Sequence, residues 1–230
     1  MLIREFYFNN KKSFTDYNLY IEKFEIQPPA PIIKEVSIPY RNGSYDFSKV
    51  NSPERNFSNR LINITVFWKS IDNIELFKAY SQLQNWLFSP FSSEIVIDNI
   101  SGIFKGKVKS ISSIEILKRI AKFTITFECD PFKYNEFGNQ IWDIFNFEKD
   151  ISAINYFTIP NECLVFNNGL DVYPTFILES EVECELIYNN ITYKLAPGLN
   201  NNILKLSPGL NKLTVNGTGA LTINFTEKSF

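Results

Sequence analysis

The sequence predicts a mainly β protein: an N-terminal β-sandwich carrying one α-helix, followed by a jelly-roll β-sandwich. Three observations lead there. Aromatic residues fill 16% of the 230 positions, with 22 Phe and 11 Tyr against 9 Gly and 1 Met, and flat rings pack well on pleated surfaces. Two stretches, 60–68 and 119–129, alternate apolar and polar residues, the period of a half-buried strand. The charge balance also shifts. Residues 1–130 hold 17 Lys/Arg against 14 Asp/Glu, whereas residues 131–230 hold 6 against 11 and no Arg. Such a shift divides the chain into two modules with different surfaces, 1–133 and 134–230.

The first module opens with β-prone, aromatic-rich segments at Leu2 to Phe8 and Leu19 to Ile26. Gln27-Pro28-Pro29-Ala30-Pro31 stops any ladder, because proline supplies no N–H. Ile32 to Ile38 resumes extended structure, and Pro39-Tyr40-Arg41-Asn42-Gly43 reads as a turn. From Arg60, Ile62, Ile64, Val66 and Trp68 share one face, and Leu61, Asn63, Thr65 and Phe67 the other. A helix follows over about 72–88. Ser70 or Asp72 can cap it, with Glu75 at capping-box spacing from Asp72. Leu76, Tyr80, Leu83 and Leu87 form its apolar stripe, and Ser89-Pro90 ends it. The stripe reads as a helix packed on a sheet. Glu94 to Asp98 and Ile103 to Ile111 form a hairpin around Asn99-Ile100-Ser101-Gly102. In the strand from Arg119, Ala121, Phe123, Ile125, Phe127 and Cys129 face the core. Asp130-Pro131-Phe132 breaks that pattern and opens a linker over 131–140.

The second module reads as short strands at 141–147, 155–159, 163–167, 172–179, 182–188, 191–195, 203–206, 212–216 and 220–226, the density of a sandwich. Pro197-Gly198-Leu199-Asn200 and Pro208-Gly209-Leu210-Asn211 duplicate one turn motif and read as two hairpin ends.

The chain contains no histidine, which excludes His-dependent triads and imidazole acid–base catalysis. Phosphate-binding glycine loops and nucleophile elbows are absent as well. No enzyme, metal or cofactor signal remains. Cys129, Cys163 and Cys184 are odd in number and widely spaced, so free thiols are expected. The net charge of −2 gives no bulk attraction to nucleic acid or anionic membrane. Charges near the N-terminus argue against a signal peptide, and cytoplasmic synthesis without a membrane span is expected. Seven Asn-x-Ser/Thr triplets, among 26 Asn, read as coincidences of composition. Glu179, Glu181, Glu183 and Glu185 alternate, but a turn at Ser180-Glu181 splits the row, leaving Glu183 and Glu185 on a solvated face. Lys105, Lys107 and Lys109 alternate with Phe104, Gly106 and Val108. They form a positive strip that either lines a DNA channel or guards a sheet edge; the edge is the favoured reading. Tyr173, Tyr188 and Tyr193 are candidates for a sugar platform, with packing on the sheet favoured.

An ordered set of motifs resembles the distal tail protein (Dit) family of siphophages. It comprises Pro28 to Pro39; the turn Tyr40-Arg41-Asn42-Gly43-Ser44-Tyr45-Asp46, with Tyr40 where the family has glycine and Asn42 where it has aspartate; Asn59-Arg60; Leu83-Gln84-Asn85-Trp86-Leu87; Gly106-Lys107-Val108; and Phe127-Glu128-Cys129-Asp130-Pro131-Phe132-Lys133-Tyr134. Phe166-Asn167-Asn168-Gly169, Tyr173-Pro174-Thr175-Phe176 and Leu206-Ser207-Pro208-Gly209-Leu210-Asn211 carry it through the second module. The resemblance implies a structural virion protein at the tail tip: a homo-hexameric ring built by the N-terminal domain, with a galectin-like C-terminal domain outside. It would join the tail tube protein to the tip hub and receptor-binding proteins and leave a channel through which DNA passes. Candidate inter-subunit or tail-protein contacts are Arg41, Asn42, Gly43, Lys105, Lys107 and Lys109. The alternative is a carbohydrate-binding β-sandwich module.

Overall fold

Two strongly alternating strands make the centre of the first core. β6 (Arg60–Lys69) and β10 (Ile120–Glu136) pair antiparallel with Val66 opposite Phe123 and Ile62 opposite Phe127. Ile62, Ile64, Val66, Trp68, Ala121, Phe123, Ile125, Phe127 and Cys129 are all buried, so both alternations hold. The computed structural model describes residues 5–40, 42–48, 55–69, 73–117, 120–136 and 155–230. The chain divides into two units, Met1–Lys133 with Phe230, and Tyr134–Ser229.

In the first unit the elements before β6 are β1 (Phe6–Phe8), β2 (Lys11–Lys12), α1 (Ser13–Tyr17), β3 (Tyr20–Ile26), β4 (Glu35–Ser37) and β5 (Ser44–Asp46). Between β6 and β10 come α2 (Asn73–Phe88), β7 (Ser93–Ile97), β8 (Ile103–Ile111) and β9 (Glu115–Leu117). The main sheet runs β2-β1-β7-β8-β10-β6-β3, with β9 beside β10. Three strand steps separate β1 from β10, about 14 Å in a flat sheet. Yet the rings of Phe6 and Phe8 lie 5.8 and 5.2 Å from that of Phe127. The sheet therefore curls over, and the sandwich consists of one folded sheet rather than two separate ones. Gly106 makes the curl possible at β8, because a Cβ there would lie 2.6 Å from the Glu128 carbonyl and 2.7 Å from the Cys129 sulfur.

The helix α2 buries Leu76, Leu83 and Leu87 as its stripe requires, together with Trp86. Trp86 donates its indole N–H to the Phe8 carbonyl and stacks 4.6 Å from Tyr17. Its expected cap at Ser70 or Asp72 lies outside the described residues. The short helix α1 has no counterpart in the sequence reading, because five residues carry no period. It is set instead by Ser13, whose buried hydroxyl accepts from the Phe6 amide, and by the left-handed Asn18 that ends it.

The linker expected over 131–140 is corrected at its start: β10 continues as strand through Glu136. Arg60 explains why Pro131 does not end it. The buried guanidinium donates from Nε and Nη2 to the Pro131 carbonyl, an anchor that the local sequence pattern does not reveal. Positions 137–140 and the strand expected at 141–147 lie outside the described residues.

In the second unit, two long bent strands replace four expected short ones. β11 (Tyr156–Asn167) contains both 155–159 and 163–167, apart from Asn155. After β12 (Thr175–Glu179), β13 (Cys184–Tyr188), β14 (Ile191–Leu195) and β15 (Gly198–Asn201), β16 (Gly209–Asn224) merges the strands expected at 212–216 and 220–226. β17 (Thr226–Ser229) follows. The first half of β16 pairs with β13, the second half with β12, and β11 accompanies both halves with a register shift between Ile159 and Asn161. Inner residues of both halves, among them Val165, Leu186 and Val215 from one and Phe176, Leu221 and Ile223 from the other, share one buried cluster. The sandwich thus forms by bending a shared strand pair. The bend falls at Gly217-Thr218-Gly219, where both glycines have positive φ and a Cβ would meet the Cys184 sulfur at 2.4 Å or the Glu179 carbonyl at 2.2 Å.

The two Pro-Gly-Leu-Asn motifs are not hairpin ends. The first leads from β14, which pairs with β13, into β15, which pairs with β12. The second leads into β16. In each, the asparagine side chain clamps the loop: Asn200 accepts from the Ala196 N–H and donates to the Ala196 and Gly198 carbonyls, while Asn211 accepts from the Ser207 N–H and donates to the Ser207 and Gly209 carbonyls. The strand expected at 203–206 reduces to one bridge, Val172 to Leu206.

Candidate functional site: an exposed arm and a lysine edge

After β3, the chain is tied down at the base of an excursion. The Ile32 N–H donates to Asn56, and the Ser58 N–H donates to Ala30. Between these ties, β4 and β5 pair only with each other. A lone two-stranded hairpin is marginal in water, and this one keeps its apolar residues exposed. Ile32, Ile33, Val36, Ile38, Tyr40, Tyr45 and Phe47 all present large apolar surface, with Tyr40 fully exposed. The turn at its tip keeps a left-handed residue where the family has glycine: Tyr40 has φ +65 and Gly43 φ +83. Elsewhere in the described chain, the non-glycine residues at positive φ are all asparagines, which tolerate that region far better than a bulky ring. Asn42 and Gly43 are exposed at this tip, and Arg41 lies outside the described residues. Glu35 stands directly opposite Asp46 across the hairpin.

The lysine strip lies on β8, with Lys105, Lys107 and Lys109 exposed and Phe104 and Gly106 buried between them. Each lysine has an acidic neighbour: Lys105 is 3.9 Å from Glu94, and Lys107 and Lys109 are 3.7 and 3.8 Å from the same Glu128. Such long, half-exposed pairs contribute little, about 0–1 kcal/mol each. They lower the net field of the strip and leave one positive charge in excess. Beside Lys107, the end of α2 and the start of the next loop form a groove of about 360 Å³, lined by Leu87, Phe88, Pro90, Phe91 and Val108. Phe91 is 89% exposed, and Lys107 sits 5.5 Å from its ring centre.

The remaining candidates resolve into ordinary structure. Ser180 and Glu181 lie in the turn between β12 and β13, and Glu183 and Glu185 are exposed. Among the described residues, no group of three or more acidic or thiol side chains converges on a metal-sized site. Tyr188 is buried and donates its hydroxyl to Asn211 at 2.6 Å, and Tyr193 packs on the second core. Tyr173 alone of the three stands exposed, so they form no shared platform. The three cysteines are buried free thiols. Burial pushes Cys129 up to about 12, although the nearby Arg60 charge opposes it, and pushes Cys163 up to about 11. Neither is poised as a nucleophile.

Residues 12–129, about half of the chain, match the family described as phage tail protein RIFT-related domain. No curated protein sequence matches the chain. Among solved structures, the SPP1 Dit protein, described as a paradigm of the hub adsorption apparatus in phages infecting Gram-positive bacteria, is similar across 100% of both chains, with a TM-score of 0.72 and 14% identity. Two structures of the phage p2 baseplate in its activated conformation, with calcium or strontium, align at TM-scores of 0.44 and 0.39 and 9% identity. They cover 100% and 99% of this chain and 99% and 97% of theirs. The SPP1 match shows a shared fold that spans both units, and the family match rests on the strands, helix and arm of the first. On these grounds the chain belongs to the family of phage tail proteins built on a RIFT-related domain.

Proposed function

We propose that this tail protein is the distal tail ring: six copies joined through their N-terminal units, linking the tail tube to the tip hub and receptor-binding parts around a channel for DNA. The observation that carries the reading is the arm. About a third of the large apolar side chains exposed in the described chain fall between Ile32 and Phe47, on a hairpin with no sheet of its own to lean on. An exposed apolar patch of several hundred Å² marks an interaction surface. A closed ring of identical copies needs a heterologous contact, in which one surface projects and a different one receives it.

The lysine strip fits the same reading. DNA that slides through a ring must not be held, because each phosphate contact strengthens salt-dependent binding. Partial neutralisation of Lys105, Lys107 and Lys109 by Glu94 and Glu128 favours a role at an edge or contact over a grip on the duplex. The sugar-binding alternative lacks a joint aromatic surface, since Tyr188 is buried and Tyr193 packs on the core. Native mass measurement of the full chain tests the proposal. Six copies are expected for the unsubstituted protein, and monomers after residues 34–47 are replaced by a short Gly-Ser turn. A stable monomer in the unsubstituted protein at assembly concentrations refutes the ring.

A further inference from the structure

We propose that the arm of one copy seats in the groove at the end of α2 in the next copy, with Tyr40 against Phe91 and the acidic pair Glu35 and Asp46 facing the lysine strip. The inference rests on the ring reading above and adds the receiving surface, which that reading leaves open.

Three features bring the two surfaces together. The first is shape. The arm is the projecting apolar element of the unit. The groove of about 360 Å³ beside Phe88, Phe91 and Val108 is a concave apolar surface of the same unit. Phe77 and Phe88 lie eleven residues apart on α2, on one stripe of the helix, and are 56% and 53% exposed. With Phe91 they extend the apolar wall beyond the groove.

The second feature is charge. Like charges directly opposite on a hairpin destabilise it, and Glu35 and Asp46 stand in that register. A cation facing both would relieve the repulsion. Lys107 and Lys109 share one carboxylate, Glu128, so the strip has a positive charge to offer at the groove's rim.

The third feature is area. At about 150–250 Å² per aromatic side chain, the arm's exposed apolar residues amount to several hundred Å². That is the scale of one side of a specific interface, about 800 Å² per partner. A left-handed Tyr40 with its ring fully exposed is backbone strain that a seated partner would justify.

A mixing experiment tests the match. Tyr40→Asp disables the arm and leaves the groove; Phe91→Asp disables the groove and leaves the arm. Both side chains are exposed, so each variant should retain the circular dichroism and melting temperature of the unsubstituted chain. Each variant alone should be monomeric by native mass. An equimolar mixture should give a species of twice the monomer mass, because only one good arm and one good groove remain per pair, and such a pair cannot propagate. Phe91→Asp forming the unsubstituted oligomer overturns the inference, as does a mixture that stays monomeric while the unsubstituted chain is hexameric. If the unsubstituted chain is itself monomeric, the ring reading falls and the docking falls with it.

Discussion

The two asparagine clamps in the second unit look identical in sequence, yet Asn211→Ala should cost far more than Asn200→Ala. Asn200 makes three bonds, at 2.7, 3.0 and 3.1 Å, all within its own loop. Asn211 repeats those three at 2.8, 2.9 and 3.1 Å, reaches the Val165 carbonyl at 3.4 Å, and accepts the buried Tyr188 hydroxyl at 2.6 Å. With a net value near 1 kcal/mol per bond, Asn200→Ala should lose about 2–3 kcal/mol. Asn211→Ala should lose about 4–6 kcal/mol, because the orphaned Tyr188 hydroxyl adds about 1–3 kcal/mol of desolvation penalty. A chain of two units need not unfold in one step. Urea-dependent hydrogen exchange should therefore be read from peptides within 155–229. Tyr188→Phe adds a coupling test: it should destabilise the unsubstituted chain and be nearly neutral on top of Asn211→Ala. Equal losses from the two alanine variants, or a Tyr188→Phe effect indifferent to Asn211, would refute the reasoning.

Other expectations follow from close approaches and buried groups. Gly106→Ala should destabilise the first unit by more than about 3 kcal/mol, because its Cβ would strike the backbone of β10 rather than a movable side chain; a thermal melt with a loss below 1 kcal/mol would disprove the packing. Thiol reagent at pH 8 should leave native Cys129 and Cys163 unmodified, since a pKa of about 12 or about 11 leaves a thiolate fraction on the order of 10⁻³ or less. All three cysteines should titrate after unfolding without reductant. Glu5 would be raised by burial, but hydrogen bonds from Lys12 and Thr15 outweigh that and hold it below the usual carboxylate value. Its contribution to stability is thus fully present above the unfolded value of about 4.3 and lost as pH falls through the lower folded one. Glu5→Gln should accordingly flatten the acid limb of a melting-temperature profile. A protease should open the chain within about 131–140 and release a folded first unit; since 131–136 continue β10, the cut is expected after Glu136.

Much of the first unit was legible because its strands are amphipathic. The period-two patterns at 62–68 and 121–129 put every expected core residue inside, and the helix stripe did the same for Leu76, Leu83 and Leu87. Illegible features depend on partners distant in sequence. Trp86 is buried through the Phe8 carbonyl, and β10 passes Pro131 because Arg60 holds its carbonyl from 71 positions away. The arm was legible as extended segments around a turn. Its isolation was not, since a hairpin that joins the main sheet and one that stands apart have the same local pattern.

The second unit makes the same point through its breaks. Glycine and proline in strand-like sequence read as chain reversals, and the reading therefore cut β11 at Ile159-Pro160 and β16 at Gly217-Thr218-Gly219. A strand that changes sheets needs those same residues. It must leave one ladder, bend, and enter another without reversing, and β16 does so with two glycines at positive φ pressed against Cys184 and Glu179. What separates a bend from a turn is whether the flanking segments share a neighbour. Here β11 flanks both halves of β16, so the pair bends as a unit and its inner faces fold onto one core. The same logic bears on the arm. Tyr40 and Gly43 adopt true reversal geometry, and the flanking strands pair with each other and with nothing else. A reversal that the unit's own sheet does not use is a surface whose natural neighbour lies on another molecule.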